Sequence, residues 1–262
     1  MKIWWQSSTM IHTKELTGYR EALTKHLNSV KRADTEIAVN GVDRGSLDLH
    51  FNFTVALNSF APGGVLDKMV QADRQGYDAA AIGCFLDPAL QEAREITNIP
   101  ILGLAETSMH MACMLGTKFS GIAFSDKQAQ YYDALARRYG LGDRAVPFAS
   151  LGIDLTEVQQ GFSNPGKMMD LFRKCMKQLA NSGAEVILPA CACVNTIVVN
   201  EKITEMEGML ILDINALLLK ITEAMVDFYK LTGVSRSRKL LYQKPTKEGL
   251  KHILQLYNFK SA

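Results

Sequence analysis

Two cysteines, Cys84 and Cys191, each follow a short apolar segment typical of a buried strand. Residues 77–84 read Tyr-Asp-Ala-Ala-Ala-Ile-Gly-Cys, and residues 184–191 read Ala-Glu-Val-Ile-Leu-Pro-Ala-Cys. A helical pattern follows each cysteine. The first N–H groups of a helix and its dipole stabilise a thiolate, and a thiolate can act as a base. Two such thiols facing each other across a cleft could move a proton between the two faces of a carbon beside a carbonyl.

The helix start after Cys84 is the better marked of the two. Asp87 is a plausible helix cap and Pro88 suits the first helical position. Neither signal follows Cys191. The sequence therefore predicts more firmly for Cys84 than for Cys191 that the thiol lies at a helix N-terminus.

The other cysteines are weaker candidates. A free cysteine is often only a small buried residue, but two at matching strand ends favour function. Cys113 and Cys175 fall inside helical patterns, and we interpret both as structural. Cys193 stays open, because it could be the second reactive thiol in place of Cys191 or a neighbour that supports it.

Strand and helix patterns alternate along the whole chain, which indicates parallel sheets covered by helices on both faces. We predict an α/β fold of two pseudo-symmetric, Rossmann-like three-layer domains with the active site in the cleft between them. The first domain is predicted at residues 1–105 plus 208–262, and the second at 106–207. Strands are predicted at residues 2–7, 35–39, 77–84, 99–104, 119–124, 144–148, 185–190 and 209–213.

Two segments fall outside this alternation. Residues 41–58 are predicted as an irregular loop; His50 within it could contact a substrate, although a surface histidine is the more ordinary interpretation. The tail from Gly233 is basic and ends in an amphipathic piece, residues 247–257. We interpret the tail as a surface extension or subunit contact, and we expect a homo-oligomer.

The composition limits the classes of binding partner that we expect for this protein. The chain has 262 residues, 21% of them charged, and a net charge of +2, so we expect neither a nucleic-acid partner nor a membrane partner. No apolar run approaches the length of about 18 residues that a membrane span needs. Five cysteines, an odd number, argue against a disulfide framework and indicate a reduced, cytoplasmic protein. The Cys191-Ala192-Cys193 spacing with no nearby histidine predicts no metal site.

The segment Gly83-Cys84-Phe85-Leu86-Asp87-Pro88-Ala89-Leu90 resembles the first catalytic segment of the aspartate/glutamate/hydantoin racemase superfamily, and hydantoin racemases most closely. Residues 101–106 resemble the family's Gly-Ile-Ala-Glu segment, and residues 186–192 resemble its second catalytic segment, with Cys191 matching the second cysteine. Weaker similarity covers residues 137–141 and the strand ending at Asp213. The resemblance extends over about residues 1–230.

The resemblance implies a cofactor-independent racemase or epimerase that uses Cys84 and Cys191 as a two-base pair on a small-molecule substrate. Its substrate would be a hydantoin or an amino-acid derivative. It also implies that substrate groups are held by polar residues at strand ends and by nearby main-chain amides. These positions are Gln6, Ser8, Phe85, Thr107, Ser125 and Ala192.

Three features depart from the family pattern. The first strand ends in Gln6-Ser7-Ser8-Thr9 instead of an Asn-Pro-Asn-Thr-like motif. Ala190 and Cys193 replace two glycines around the second cysteine, and the basic tail is extra. Because the first two changes would line the pocket, the hydantoin substrate is less secure than the two-cysteine chemistry.

Other functions remain open at this point. Maleate isomerases of the same superfamily keep two cysteines, whereas arylmalonate decarboxylases need only one, so the pair speaks against a decarboxylase. A two-domain α/β cleft also suits a non-enzymatic small-molecule-binding protein. In that last case the cysteines would be inert to alkylation.

Overall fold

Two parallel-dominated sheets form the centre of the molecule in a computed structural model, which describes residues 1–260. The first sheet has the strand order β2-β1-β3-β4, and the second has the order β6-β5-β7-β9-β8. The strands are β1 (Lys2–Gln6), β2 (Glu36–Asn40), β3 (Ala79–Ile82), β4 (Ile101–Gly103), β5 (Phe119–Ala123), β6 (Ala149–Ser150), β7 (Val186–Pro189), β8 (Glu205–Met206) and β9 (Met209–Ile211). Only the β8–β9 pairing is antiparallel among the named strands.

Helices connect the strands and cover the sheets. The helices are α1 (Thr17–Val30), preceded by a short 3-10 turn (Lys14–Leu16), α2 (Phe51–Asn58), α3 (Val65–Arg74), α4 (Leu90–Ile96), α5 (Leu104–Leu115), α6 (Asp126–Arg138), α7 (Leu155–Gln160), α8 (Gly166–Leu179), α9 (Ala192–Asn200), α10 (Ile214–Thr232) and α11 (Lys247–Leu256). The predicted α/β class with two sheets is confirmed.

The central strands are apolar throughout because helices pack on both of their faces. All four residues of β3 are fully buried, with α3 and α10 packed against the strand. All four residues of β7 are buried as well, between β5 and β9. Such strands lack a polar face, which explains why the two cysteine-bearing segments show apolar runs instead of alternation.

Two local predictions are wrong. The segment 41–58 contains helix α2, which the mixed pattern of Phe51, Asn52 and Phe53 concealed because this short helix buries only part of one face. The strand predicted at 144–148 makes a single bridge, Phe119 to Ala145, and the regular pairing begins later at β6.

Strand β9 lies in the second sheet, beside β7, although it falls just beyond the boundary predicted at residue 207. Helix α10 then returns to pack on β3 and α5. The domain division itself stays a prediction, and its last two residues, 261–262, lie outside the described part of the chain.

The basic tail contacts α4, a helix that follows strand β3 of the first sheet. Arg236 and Arg238 both donate hydrogen bonds to the main-chain carbonyl of Arg94, in the last turn of α4. Helix α11 confirms the predicted amphipathic piece and buries Leu254. Within residues 1–260, no helix combines the length and the apolar character needed to cross a membrane.

Candidate active site

The two cysteines meet at one small cavity. Cys84 follows β3, Cys191 follows β7, and both line a cavity of about 30 Å³. Ser7 to Thr9, which follow β1, form another part of its wall. The carboxyl ends of parallel strands are where α/β proteins bind ligands, because the strand-to-helix connections gather there. The fold therefore brings together two cysteines that lie more than a hundred residues apart in the sequence.

Cys191 is the N-cap residue of α9. The side chain of Cys193 and the backbone N–H groups of Val194 and Cys193 hydrogen-bond to its sulfur and lower the pKa of the Cys191 thiol, against the opposing effect of burial. These donors favour the charged form because a thiolate accepts hydrogen bonds far better than a thiol does. Of the two thiols, Cys191 is therefore the one whose pKa its surroundings lower.

Cys193 is a buried neighbour that supports this state. Its side chain is 3% exposed, and burial together with the hydrogen bond to Cys191 raises the pKa of the Cys193 thiol well above its usual range. Gln159 Nε2 donates to Cys193 Sγ at 3.5 Å from helix α7. Cys193 thus remains protonated and can donate its S–H to Cys191. Because Cys191 accepts these hydrogen bonds and Cys193 keeps its proton, Cys191 is a stronger candidate than Cys193 for the reacting thiol.

Cys84 has a different environment. Helix α4 begins only at Leu90, and the intervening loop contains two residues with left-handed backbone, Asp87 at φ 45° and Ala89 at φ 55°. The predicted helix start directly after Cys84 is therefore wrong. Although the residue is partly accessible to the cavity, the surrounding protein removes its thiol from bulk water, and this burial raises the pKa of Cys84 to about 12. Ser8 and the N–H of Leu86 oppose that effect.

Asp87 caps a different helix from the predicted one. Its carboxylate accepts hydrogen bonds from the backbone N–H groups of Ala105 and Glu106, at the start of α5, and from the Tyr139 hydroxyl at 2.7 Å. A Cβ on Gly103 would lie 2.6 Å from the Asp87 carboxyl carbon, so this approach needs a glycine. Burial nevertheless raises the pKa of Asp87 to about 7. The carboxylate anchors the Cys84 loop to elements outside its own helix.

The other sequence-predicted site residues divide into two groups. Ser8, Phe85 and Ala192 line the cavity with the cysteines. Ser8 Oγ is close enough to lower the pKa of Cys84, and it makes no other hydrogen bond within residues 1–260. Ala192 is the first residue of α9, so its N–H has no partner within the helix.

The remaining predicted positions lie further away. Gln6 is fully buried and engaged with Trp4 Nε1 and the carbonyl of Ser7. Ser125, at the N-cap of α6, has a buried hydroxyl without a hydrogen-bond partner in the described chain. Thr107 lines a separate groove beside α10, and we leave it out of the proposed site. His50 is exposed at the start of α2.

Sequence reasoning missed three polar residues of the cavity wall. Tyr19 of α1, Gln128 of α6 and Tyr132 of α6 all face it and are almost fully buried. Tyr19 lies on an apolar helical stripe, so it resembles an ordinary core residue. The spacing of Gln128 and Tyr132, four residues apart on one helix face, was an available signal because it places an amide on the buried side of α6.

A polar network holds the α9 helix in place. Asn195 Nδ2 donates to Asp213 Oδ1 at 2.9 Å, and His26 Nε2 lies 2.8 Å from Asp213 Oδ2. Asn215 Nδ2 donates to the carbonyl of Ala192 at 3.0 Å. These contacts join α1, α9 and α10, and they fix the first turn of α9 on which the environment of Cys191 depends.

Comparison with known proteins agrees with this architecture. The chain is 26% identical over 243 residues to the hydantoin racemase of Pseudomonas sp. (strain NS671), covering 91% of this chain and 92% of the relative. The allantoin racemase from Klebsiella pneumoniae has a similar structure, with a TM-score of 0.78 and 22% identity over 94% of each chain. The allantoin racemase from Pseudomonas fluorescens also gives a TM-score of 0.78, at 21% identity over 94% of this chain and 97% of that one.

The structural similarities, at this level of identity, establish the fold. The family assignment comes from the sequence: residues 53–222, more than half of the chain, match the model of the Asp/Glu/hydantoin racemase family. This match includes both cysteine segments and the helices that position them. The chain belongs to the Asp/Glu/hydantoin racemase family, and the curated relatives that it matches are named as racemases, which are isomerases.

Proposed function

We propose that the protein is a racemase that inverts a carbon beside a carbonyl by a two-thiol proton transfer, with Cys191 as the base and Cys84 as the acid. The observation that carries this proposal is the opposite tuning of two thiols at one cavity. Hydrogen bonds lower the pKa of Cys191, whereas burial raises the pKa of Cys84 to about 12. The pair then contains one thiol that ionises more readily and one that keeps its proton, as a two-base inversion requires.

The reaction balances without any other group. The Cys191 thiolate takes the proton from the stereocentre, so that an S–H bond forms as the C–H bond breaks and the electron pair moves onto the neighbouring carbonyl oxygen. The N–H of Ala192 is suited to stabilise that oxygen, as an amide at a helix start. The Cys84 thiol then gives its proton to the opposite face, which restores the C–H bond and leaves a Cys84 thiolate. The opposite enantiomer reacts by the reverse sequence.

We propose a hydantoin-type five-membered ring as the substrate. The support is the name of the relatives, hydantoin racemases, together with the cavity that both cysteines line. A planar ring bound between the ends of β3 and β7 would present one face of its stereocentre to each thiol. The N-terminal segment Gln6 to Thr9 and Cys193 depart from the pattern that the resemblance implies, and they are the positions at which substrate choice would differ.

Proton exchange followed by NMR tests the proposal. Purified protein in D2O is given single enantiomers of 5-substituted hydantoins, allantoin, aspartate and glutamate, with protein-free samples as controls. Loss of the α-proton signal together with loss of optical rotation is expected for a hydantoin. Exchange confined to aspartate or glutamate would contradict the substrate class. No exchange with any of them would contradict the racemase proposal, and maleate would then be the next compound to test.

A further inference from the structure

An open groove of about 520 Å³ lies beside the cysteine cavity. Its walls come from α2, from the loop that follows Cys84, and from α6. Gln128 lines both the groove and the cavity, so it forms part of the wall between them. The groove therefore adjoins the proposed site across this side chain.

The sizes of the two spaces decide what each can hold. A cavity of about 30 Å³ has room for two or three water molecules, at about 10–15 Å³ each. Pockets that bind small organic molecules are typically about 300–1,000 Å³. The groove falls in that range and the cysteine cavity does not. A substituted ring must therefore extend beyond the cysteine cavity, and the groove is the neighbouring space of sufficient volume.

The groove has an aromatic surface. Phe53 and Phe60 are each more than half exposed, and Tyr131 is 41% exposed on the opposite wall. The two cations at the groove are already engaged, because Lys127 Nζ lies 3.6 Å from the centre of the Phe53 ring and Arg138 hydrogen-bonds to Tyr131. Exposed aromatic side chains gathered in a groove are a surface on which another ring can stack.

The wall between the two spaces has a free acceptor. Gln128 is 2% exposed; its Nε2 donates to Asn52 Oδ1 at 3.1 Å, and its Oε1 has no hydrogen-bond partner within residues 1–260. A buried amide oxygen without a partner is unfavourable, and a bound donor would remove that cost. A hydantoin ring supplies N–H donors, so Gln128 is placed to hold the ring while its substituent lies in the groove.

We propose that the groove between α2 and α6 binds the substituent on the substrate's stereocentre, and that it selects aromatic substituents over small or polar ones. The inference rests on the proposed racemase function and adds its substrate preference. A benzyl group would stack among Phe53, Phe60 and Tyr131. A methyl group would not reach them, and the polar ureido group of allantoin would bury less apolar surface against these rings than a benzyl group does.

The test compares 5-benzylhydantoin, 5-methylhydantoin and allantoin in the wild type and in the Ala56→Phe variant. Ala56 is an exposed residue of α2 that lines the groove, so a phenyl ring there fills the groove without disturbing the core. Leu57→Phe is the matched control, because Leu57 is 75% exposed on the same helix and outside the groove lining. Thermal unfolding of each variant verifies that it is folded.

The expected wild-type result is a kcat/KM for the benzyl compound at least about tenfold above that for the methyl compound and for allantoin. Ala56→Phe should lower the benzyl value about tenfold and leave the methyl value within about twofold, while Leu57→Phe changes neither. Racemisation of the methyl compound without a benzyl preference, or a benzyl-to-methyl ratio that Ala56→Phe does not alter, would overturn the groove proposal alone. If the wild type racemised none of the three, both proposals would fall.

Discussion

The two cysteine ends of the cavity follow one plan, a buried strand that ends in a thiol, and yet they place that thiol in opposite electrostatic environments. At the Cys191 end the helix begins at the next residue, so backbone N–H groups point at the sulfur and lower its pKa. At the Cys84 end a loop with left-handed residues delays the helix until Leu90, and burial raises the pKa to about 12. The comparison shows that the same strand-to-cysteine plan can place a thiol where donors lower its pKa or where burial raises it.

The largest effect should come from removing either thiol. We expect Cys84→Ser and Cys191→Ser each to lower kcat/KM for racemisation by about 10²–10⁴-fold, because each removes one proton-transfer group. Cys113→Ser, at a partly exposed cysteine in α5, is the control and should keep its activity. Polarimetry with a single enantiomer provides the measurement. An active Cys191→Ser variant together with an inactive Cys193→Ser variant would move the second catalytic role to Cys193.

The Cys84→Ser and Cys191→Ser variants should also differ from each other in proton exchange. Cys84→Ser keeps the Cys191 thiolate, so one enantiomer should still exchange its α-proton in D2O without inversion. Cys191→Ser leaves a thiol with a pKa of about 12, and exchange at pH 8 should fall with racemisation. NMR of each enantiomer separates the two cases. Equal exchange by both variants would show that the thiols are not oppositely tuned.

In the wild type, Cys191 and Cys84 should be alkylated at different rates. At pH 8 the thiolate fraction of Cys191 should exceed that of Cys84, because hydrogen bonds lower the pKa of Cys191 whereas burial raises the pKa of Cys84 to about 12. The lower intrinsic nucleophilicity of the more acidic thiol offsets part of this advantage. We expect iodoacetamide to label Cys191 at least about tenfold faster, as followed by peptide mass spectrometry. Labelling of Cys84 first would contradict the assignment of base and acid.

Cys193→Ala should weaken the base without removing it. Loss of the S–H donor takes away one hydrogen bond to the Cys191 thiolate, which is worth about 1.5 kcal/mol, or about one pKa unit. The acidic limb of the pH profile of kcat/KM should therefore move upward by about one unit. The control is Cys175→Ser, in α8, where Sγ donates to the carbonyl of Ser150 instead. An unchanged acidic limb would mean that Cys193 only fills space.

The last expected effect concerns the pH dependence of stability at the Cys84 end. Because the pKa of Asp87 is raised to about 7, the native state holds a proton between about pH 4 and 7 that the unfolded chain releases. The free energy of unfolding should then fall as the pH rises through this window, by up to about 1.4 kcal/mol per pH unit. Asp87→Asn should remove that slope. Urea unfolding at pH 5, 6, 7 and 8 measures it, and an equal slope in both proteins would contradict the assignment.

Local patterns carried much of the prediction. The apolar runs before Cys84 and Cys191 predicted two buried parallel strands, since a strand covered on both faces tolerates few polar residues. The alternation of elements indicated the α/β class, and the amphipathic spacing of residues 247–257 predicted α11. These features depend on neighbouring residues, so the chain displays them directly.

Features built from distant residues could not be predicted in this way. Asp87 and Pro88 have the residue types of a helix start, but the carboxylate instead accepts hydrogen bonds from Ala105 and Tyr139, and only the folded chain brings these together. Similarly, Gln159 reaches Cys193 from another helix.

The sequence by itself determined most of the strands, the fold class and the presence of two thiols at strand ends, because each depends on short-range periodicity and residue type. Only the tertiary structure decided which thiol has the lowered pKa, which residues join the two cysteines in one cavity, and that Thr107 lines a different groove. The physical reason is that a pKa and a cavity wall depend on burial and on hydrogen-bond donors from several elements at once, and these meet only when the sheets and helices pack.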